Sequence, residues 1–359
     1  MQFLKVIRDG LIIAFLPKRI VKRFVKRYEF AWLVQPRSIH DFYRKFPLGK
    51  FLPDSVIKYI CKILWPIVVS EITGVIDKNG EERKGCIISH SLLPEQIVAN
   101  PELAEKKILQ ALKLAERISV KIVALAGFNS VITKGGLTIK DKSPVYLTNS
   151  YALLSILGIE SIKEILKNQN KDFKISFAII GATTILGKIL SKLLVRENIN
   201  KLLLIGKTPQ NLETLKENCL LIKTNSNLKI DTATDTSEIR NYDFVIITTN
   251  ASDAIIKPEY LKQKAIVLDI TQPPNPSTET IKTRKDTLVF DMITAQTPGI
   301  NYHFNFGLPR EQAYACLAEV ILLVMDNKWD NFGIGEIEIE QTQEISRLFR
   351  KYNFKLVPF

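Results

Sequence analysis

Two glycines in the middle of the chain have the spacing at which a strand turns tightly into a helix. Gly181 follows the short apolar run 177–180, and Gly187 lies six residues later, where a helical pattern of apolar residues starts. The amino end of such a helix offers N–H groups and a positive dipole end to a pyrophosphate. The stretch therefore predicts a nucleotide site, although the usual middle glycine is absent. The alternative is that the turn is only a tight connection.

The end of the next predicted strand indicates which nucleotide would bind. Gly206, Lys207 and Thr208 follow the apolar run 201–205. An acidic residue at this place usually binds the ribose 2′-hydroxyl of NAD, whereas a cation beside a hydroxyl suits the 2′-phosphate of NADP. The alternative is that Lys207 is a solvated surface side chain. We therefore predict NADPH as cofactor, with the binding residues Gly181, Ala182, Thr183, Thr184, Gly187, Lys207 and Thr208.

A cysteine near the carboxyl end of the chain lies three residues before a glutamate. Cys316 and Glu319 share a face if the apolar segment 309–328 is one helix. We expect that helix to begin near Pro309, which puts Cys316 about two turns from its start, where the helix dipole has little effect on a thiol. From these residues alone, Cys316 is either a buried small hydrophobic side chain or a reactive thiol. Glu319 is either a proton shuttle or a partner for a base.

Composition excludes several classes of site. The 359 residues include four cysteines without a C-x-x-C motif and three histidines, so we predict no metal site. The scattered cysteines are typical of reduced thiols in a cytoplasmic protein. His303 lies beside Tyr302 and Phe304, and it is either a packed side chain or a general acid.

Positive charge is concentrated at the start of the chain. Residues 1–50 contribute +9 of the net charge of +13, and the segment 18–28 has the pattern of a basic amphipathic helix. The apolar run 11–16 is too short to span a bilayer. We expect the helix to contact the inner face of a membrane, an acidic protein, or the rest of this chain with its charged face in solvent. Nucleic acid is not an expected partner, because no nucleic-acid-binding motif accompanies the charge.

Alternating strand and helix patterns predict the fold class. Further buried-strand patterns at 244–249 and 265–269 indicate a parallel sheet covered on both faces. Asn79-Gly80 predicts a β-hairpin over 68–89, followed by a helix over 101–118 and a strand over 120–125. We predict an α/β fold with a Rossmann-type doubly wound parallel sheet, a second, smaller α/β domain and a C-terminal helical segment. The predicted domains are a basic amphipathic arm over 1–50, a smaller α/β substrate domain over 51–167, an NADP-binding domain over 168–300 and the helical segment carrying Cys316 over 301–359.

Several blocks, in the same order, resemble one known family. They are Ser91-Leu92-Leu93-Pro94-Glu95, the stretch 124–132 (ALAGFNSVI), Thr148-Asn149-Ser150, the turn 181–187, the stretch 314–323 (YACLAEVILL) and Trp329-Asp330-Asn331-Phe332. Over about 66–350, the chain resembles the long-chain acyl-[acyl-carrier-protein] reductase family, the aldehyde-forming enzymes of cyanobacterial alkane synthesis. The stretch around Cys316 is the most specific of these blocks.

The resemblance implies a reaction and a role for Cys316. In that family the corresponding cysteine accepts the acyl group, so Cys316 would attack the thioester of a fatty acyl carrier protein or fatty acyl coenzyme A. NADPH would then reduce the thioacyl group to a fatty aldehyde. Lys207 corresponds to the family's basic residue after the second strand. The basic arm would bind acyl carrier protein or hold the enzyme at a membrane.

The chain also departs from the family pattern. Thr184 replaces a glycine of the cofactor turn, where its hydroxyl would either crowd the pyrophosphate or donate to it. Asn129 replaces a serine, Thr148 replaces a glycine, and the stretch 294–299 has fewer glycines than the family's. Two alternatives therefore stay open. One is a shikimate-dehydrogenase-like NADP oxidoreductase, and the other is a degenerate nucleotide-binding adaptor at a membrane.

Overall fold

The computed structural model describes residues 25–249, 256–271, 274–275, 277–291 and 293–358, without the side chains of 44–45. Most of the predicted basic amphipathic helix 18–28 lies outside the described residues. The chain divides into two compact units. The first contains the described residues up to Ser150 with Gln296–Gly335 and Arg347–Lys355, and the second contains Tyr151–Ala295, Glu336–Ser346 and the residues from Leu356.

Strands and helices alternate along most of the described chain. The strands are β1 (Phe30–Val34), β2 (Ile67–Ile76), β3 (Glu82–Ser89), β4 (Ile122–Leu125), β5 (Tyr146–Thr148), β6 (Ser176–Ile180), β7 (Lys201–Ile205), β8 (Lys229–Ala233), β9 (Phe244–Ile247), β10 (Ile266–Asp269), β11 (Leu288–Phe290), β12 (Thr294–Gln296), β13 (Gln312–Tyr314) and β14 (Lys355–Leu356). The α-helices are α1 (Ile39–Lys45), α2 (Asp54–Ile63), α3 (Pro94–Ala99), α4 (Pro101–Arg117), α5 (Phe128–Ile132), α6 (Tyr151–Asn168), α7 (Ile185–Leu194), α8 (Pro209–Ile222), α9 (Thr278–Lys282), α10 (Ala315–Met325) and α11 (Ile339–Lys351).

The first unit is built on a five-stranded sheet in the order β2-β3-β1-β4-β5. The hairpin predicted around Asn79-Gly80 is confirmed as the antiparallel pair β2 and β3. Asp77 closes its turn by accepting the N–H groups of Asn79 and Glu81 at 2.8 and 2.9 Å. The predicted helix 101–118 is confirmed as α4, whose first turn is capped by the Asn100 side chain.

Strand β1 lies in the middle of that sheet, although the sequence analysis assigns it to the basic arm. It pairs in parallel with β3 on one side and with β4 on the other. The five-residue run FAWLV is apolar throughout, and Phe30 to Leu33 are buried. Burial of such a run on both faces of a sheet outweighs the basic composition of its neighbours.

The second unit contains a six-stranded sheet in the order β11-β10-β9-β6-β7-β8. Its neighbouring strands are all parallel. Counted from β6, this is the doubly wound order 3-2-1-4-5-6, and it confirms the predicted α/β Rossmann-type fold. The strand order reverses between β6 and β9, which is where such sheets bind their ligands, at the carboxyl ends of the strands.

A helix that crosses a bilayer must be both long and apolar. None of the helices in the described ranges meets both conditions.

Candidate functional site

The glycine turn begins directly at the carboxyl end of β6, beside the point where the strand order reverses. Gly181 has a φ of +83°, which favours glycine, and an added Cβ would lie 2.8 Å from the Thr249 side chain. The N–H groups of Gly181 and Ala182 donate to the Ile205 carbonyl at 3.0 and 2.8 Å, which ties the turn to β7. At Gly187, an added Cβ would lie 2.2 Å from the Gly181 carbonyl oxygen. Both glycines are therefore required by the backbone itself.

Thr184 caps the helix that follows the turn. It is the N-cap residue of α7, and its Oγ1 accepts the Gly187 N–H at 3.0 Å. The same hydroxyl donates to the Thr248 carbonyl at 3.3 Å. A threonine cap satisfies one of the N–H groups that a helix start leaves unpaired. The hydroxyl therefore serves the helix start, and the remaining first-turn N–H groups are the ones suited to a phosphate.

Lys207 and Thr208 lie at the same edge of the sheet as the glycine turn. They follow β7, which is hydrogen-bonded to β6 along its length. Both residues are exposed, and Thr208 is the N-cap residue of α8. Thr183 approaches this segment, because an added Cβ at Gly206 would lie 2.9 Å from its Oγ1. These residues fit NADPH, with the pyrophosphate at the start of α7 and the 2′-phosphate at Lys207 and Thr208.

Cys316 is the second residue of helix α10, so the expected helix start near Pro309 is wrong. Residues Gln312–Tyr314 form the short strand β13, and α10 begins at Ala315. The chain is extended at Tyr314, the N-cap residue, with φ −65° and ψ 151°. The sulfur therefore lies within the first turn, where N–H groups and the positive end of the dipole stabilise a thiolate.

Cys316 differs from the other three cysteines in its access to solvent. Cys61, Cys86 and Cys219 are buried, whereas Cys316 is half-buried. Its Sγ accepts a hydrogen bond from Nε1 of Trp32 at 3.2 Å. Trp32 is in β1, which contacts α10. No local sequence signal points to Trp32, because it lies in the stretch predicted as the basic arm and 284 residues from its partner.

Aromatic rings surround the pair formed by Trp32 and Cys316. The Phe306 ring meets the Trp32 ring edge-on at a centroid distance of 5.5 Å, and the Tyr314 ring lies 6.3 Å from it. Tyr302 lies 5.4 Å from Phe306. Arg37 donates to the Phe306 carbonyl at 3.3 Å and places a mostly exposed guanidinium beside these rings. The indole that donates to the sulfur thus belongs to an aromatic cluster with a cation at its edge.

Burial raises the pKa of the Cys316 thiol to about 11. The Trp32 hydrogen bond and the N–H groups of Cys316 and Leu317 lower this pKa, and the charge of Glu319 raises it. The loss of hydration outweighs the stabilising groups, so Cys316 is a thiol at neutral pH in the free protein. The helix start and the indole N–H are nevertheless positioned to stabilise the thiolate when it forms.

Glu319 is buried and positioned by the end of β5. Its Oε1 accepts hydrogen bonds from the Thr148 hydroxyl and, at 2.9 Å, from the Ser150 N–H. Ser150 has a positive φ of 69°. Thr148 and Ser150, which belong to the block of resemblance 148–150, therefore hold the glutamate one turn after Cys316.

His303 and Asn129 are each held by neighbours in the first unit. The His303 ring lies in a loop, with Nε2 2.9 Å from the Thr73 hydroxyl and a φ of 45°. Asn129 accepts from His90 at 2.8 Å and donates to Gln35 at 2.9 Å. Burial lowers the pKa of His90 to about 4, so this histidine is neutral at physiological pH. Asn129 has a structural role in this network.

The chain is similar to several dehydrogenases and reductases. Residues 162–292 match the family described as Shikimate / quinate 5-dehydrogenase. The chain is 22% identical to Long-chain acyl-[acyl-carrier-protein] reductase of Synechococcus elongatus, over 81% of this chain and 87% of that protein. It is 21% identical to Aminotransferase PigE of a Serratia species over 79% of this chain, and it spans only 34% of that protein.

The solved structures to which this chain is similar include a quinate dehydrogenase from Corynebacterium glutamicum in complex with NAD. It is 10% identical, with a TM-score of 0.36, over 74% of this chain and 88% of that one. The family match lies within the second unit and covers its parallel sheet. The NADPH prediction agrees with the match to a dehydrogenase family, because that match covers the glycine turn and Lys207.

Proposed function

We propose that this protein is an NADPH-dependent reductase of long-chain fatty acyl thioesters that forms a thioacyl intermediate on Cys316 and releases a fatty aldehyde. One observation carries the proposal: Cys316 is half-buried at a helix start, with an indole N–H donated to its sulfur. A structural cysteine needs neither feature. The blocks of resemblance around Cys316 and the reductase relative support the same chemistry.

In the first step, Cys316 exchanges one thioester for another. Its sulfur attacks the acyl carbonyl carbon and forms a new S–C bond, while the bond to the carrier sulfur breaks. The proton of Cys316 ends on the departing carrier thiol, so the step is balanced. The indole N–H of Trp32 and the first-turn N–H groups of α10 stabilise the sulfur while it is anionic. The aromatic rings beside it exclude water from the thioester.

In the second step, the acyl group leaves Cys316 as an aldehyde. NADPH, when bound, supplies the hydride that adds to the thioacyl carbonyl carbon. The S–C bond then breaks with its electron pair on the sulfur, and Cys316, which is half-buried, takes a proton from solvent to become the free thiol. The glycine turn binds the pyrophosphate of the cofactor, and Lys207 with Thr208 selects the 2′-phosphate.

The partner that we propose is an acidic acyl carrier protein, with acyl coenzyme A as the other donor. Arg37 supports this choice, because its side chain is 60% exposed at the edge of the ring cluster, where it pairs with Asp41 at 3.3 Å and contacts the Phe306 carbonyl. A cation there can bind the phosphate that both donors carry. We further propose that the protein acts in the cytoplasm and contacts the inner face of the membrane through its basic N-terminal helix.

Intact-protein mass spectrometry tests the proposal directly. Incubation with a long-chain acyl thioester, without NADPH, is expected to add the mass of one acyl group. NADPH should then remove that mass and release aldehyde. Cys316→Ser should give no adduct and no turnover. Cys219→Ala is the matched control, because burial raises the pKa of Cys219 to about 12 and makes that thiol unreactive.

The absence of an adduct with either donor would overturn the acyl-enzyme mechanism, as would full turnover by Cys316→Ser. The match to Shikimate / quinate 5-dehydrogenase favours a second candidate, an NADP oxidoreductase of a hydroxyl substrate. Oxidation of shikimate or quinate with NADP, unaffected by Cys316→Ser, would support that candidate. Binding of lipid without NADPH binding would support the adaptor instead.

A further inference from the structure

The first unit carries an apolar surface that the proposed chemistry does not use. Six large apolar side chains between 48 and 63 are each 40% to 85% exposed. We call them the apolar stripe: Leu48, Phe51, Leu52, Val56, Tyr59 and Ile63. Exposed apolar side chains scattered one by one need no explanation, but a group this dense marks an interaction site.

Helix α2 carries three of the six residues of the apolar stripe on a face of its own. Ile57 and Cys61 are fully buried and pack with Phe42 of α1. With 3.6 residues per turn, Val56, Tyr59 and Ile63 share a second apolar face on the side of α2 away from the buried one. The other stripe residues, Leu48, Phe51 and Leu52, lie in the segment that leads into α2. Helix α2 is therefore more apolar than its packing requires.

Hydrogen bonds to the carbonyl groups of α2 fix the orientation of that face. Gln96 donates to the Lys58 carbonyl at 2.7 Å, and Ser91 donates to the Cys61 carbonyl at 2.6 Å. Lys107, which is buried, donates to the Leu64 carbonyl at 2.6 Å. These hydrogen bonds hold α2 on the first unit with the apolar stripe facing solvent.

Lysines flank the apolar stripe. Lys58 and Lys62 lie on α2 between the buried face and the stripe, and Lys50 lies in the preceding turn, Pro47–Phe51. Lys58 also pairs with Glu95 at 3.2 Å, where both side chains are exposed. Three lysines thus exceed the two acidic residues of this surface, Asp54 and Glu95, by one charge. In sequence, the first 24 positions are also basic, with six Lys/Arg and one Asp.

We infer that the apolar stripe binds the surface of an anionic lipid bilayer. An apolar helix face with lysines along its edge is the pattern of helices that lie in the membrane interface. Six apolar side chains against three lysines favour a surface that accepts side chains into its apolar layer over an acidic protein. Stable attachment needs an apolar contact and a basic segment together, and this chain contains both. The inference is independent of the proposed reaction.

Vesicle co-sedimentation of the full chain tests the inference. We expect binding to vesicles of phosphatidylglycerol and phosphatidylcholine, with much weaker binding to phosphatidylcholine alone. The double variant Phe51→Gln/Ile63→Gln should bind at least about tenfold more weakly, because two exposed apolar side chains lose their burial in lipid. Lys62→Gln should weaken binding about fivefold. The matched control is Leu220→Gln/Leu221→Gln on α8, which changes two exposed leucines of the second unit.

Three outcomes would overturn the inference. The first is wild-type vesicle binding by the Phe51→Gln/Ile63→Gln variant with unchanged circular dichroism. The second is loss of vesicle binding only when the arm residues Lys18, Arg19, Lys22 and Arg23 are changed to Gln. The third is weaker binding of acyl carrier protein by the stripe variant with vesicle binding intact. Adduct formation on Cys316 with acyl coenzyme A in solution should not change in any stripe variant, which separates this test from that of the proposed reaction.

Discussion

Each of the two units has a candidate site at the start of a helix, but the two starts are built differently. Helix α7 begins after a glycine turn, and the side chain of Thr184 caps it by accepting the Gly187 N–H. Helix α10 begins directly after β13, and its N-cap residue is Tyr314, a residue type that is poor in that role. One start is stabilised by a polar side chain of its own. The other directs its first N–H groups to the Cys316 sulfur.

This difference explains why the sequence predicts the start of α7 but not the start of α10. A tight turn under a helix admits only glycine, so the residue types at Gly181 and Gly187 report the geometry. The start of α10 has no such requirement, because the polar residues 310–312 and the apolar run that begins at Ala313 fit a first helical turn as well as a short strand. A run of apolar residues is compatible with either a strand or a buried helix.

The largest effect is expected for Gly187→Ala, which would distort the backbone at the start of α7. The added Cβ would lie 2.2 Å from the Gly181 carbonyl oxygen and 2.8 Å from the Ala182 Cα, so the backbone must shift. We expect NADPH binding to weaken more than tenfold and the free energy of unfolding to fall by about 1–3 kcal/mol. Fluorescence titration and urea denaturation measure the two effects.

Gly158→Ala is the control for that experiment. Its Cβ would meet the ends of the Ile270 and Leu190 side chains at 3.1 Å, and these flexible ends can move. The effect on NADPH binding should be small. If Gly187→Ala bound NADPH like the wild type, the glycine turn would not be the pyrophosphate site.

The next largest effect concerns the start of α10. Because the pKa of Cys316 is raised to about 11, alkylation by iodoacetamide should accelerate about tenfold per pH unit above pH 7 and level off near that pKa.

Trp32→Phe removes a donor to the sulfur, so the pKa of Cys316 should rise and alkylation at pH 8 should slow by about three- to tenfold. Trp329→Phe, which changes a tryptophan whose ring lies under the Lys121 ammonium, is the control. An unchanged pH profile of alkylation in Trp32→Phe would show that the indole N–H does not lower the pKa of Cys316.

A smaller effect is expected at the cofactor end of β7. Lys207→Ala should weaken NADPH binding about tenfold and leave NADH binding nearly unchanged, because only NADPH carries the 2′-phosphate that a lysine would bind. Titration with both cofactors measures the ratio. Lys216→Ala, whose lysine pairs with Glu213 on α8, controls for a general loss of positive charge. Equal weakening of both cofactors would contradict the assignment.

The smallest effect is expected for Thr184→Ala, which removes the cap of α7. Loss of an N-cap side chain costs about 1 kcal/mol, so the Tm should fall by a few degrees. Thr184→Ser retains the hydroxyl and should behave like the wild type. If Thr184→Ala left the Tm unchanged and weakened NADPH binding strongly, the hydroxyl would contact the phosphate and not the helix.

The fold of the second unit could be predicted further than the site in the first. Short apolar runs separated by helical patterns predict a parallel sheet, and the structure confirms it from β6 to β11. Trp32 could not be predicted, since nothing local in FAWLV indicates a partner in α10. The sequence predicts the start of α10 six residues too early, because the three-residue strand β13 is too short to show an alternating pattern. Contacts between distant parts of the chain depend on packing that spacing alone does not encode.

The first unit is discontinuous in sequence, and this has a consequence for synthesis on the ribosome. Strand β1 is among the earliest described parts of the chain to emerge, whereas α10 follows the whole parallel sheet of the second unit. The hydrogen bond from Trp32 to Cys316 joins residues 284 positions apart. A nascent chain that has reached Ala295 therefore contains the glycine turn and Lys207 but no Cys316. Every partly synthesised chain of that length lacks the thiol on which acyl transfer would depend.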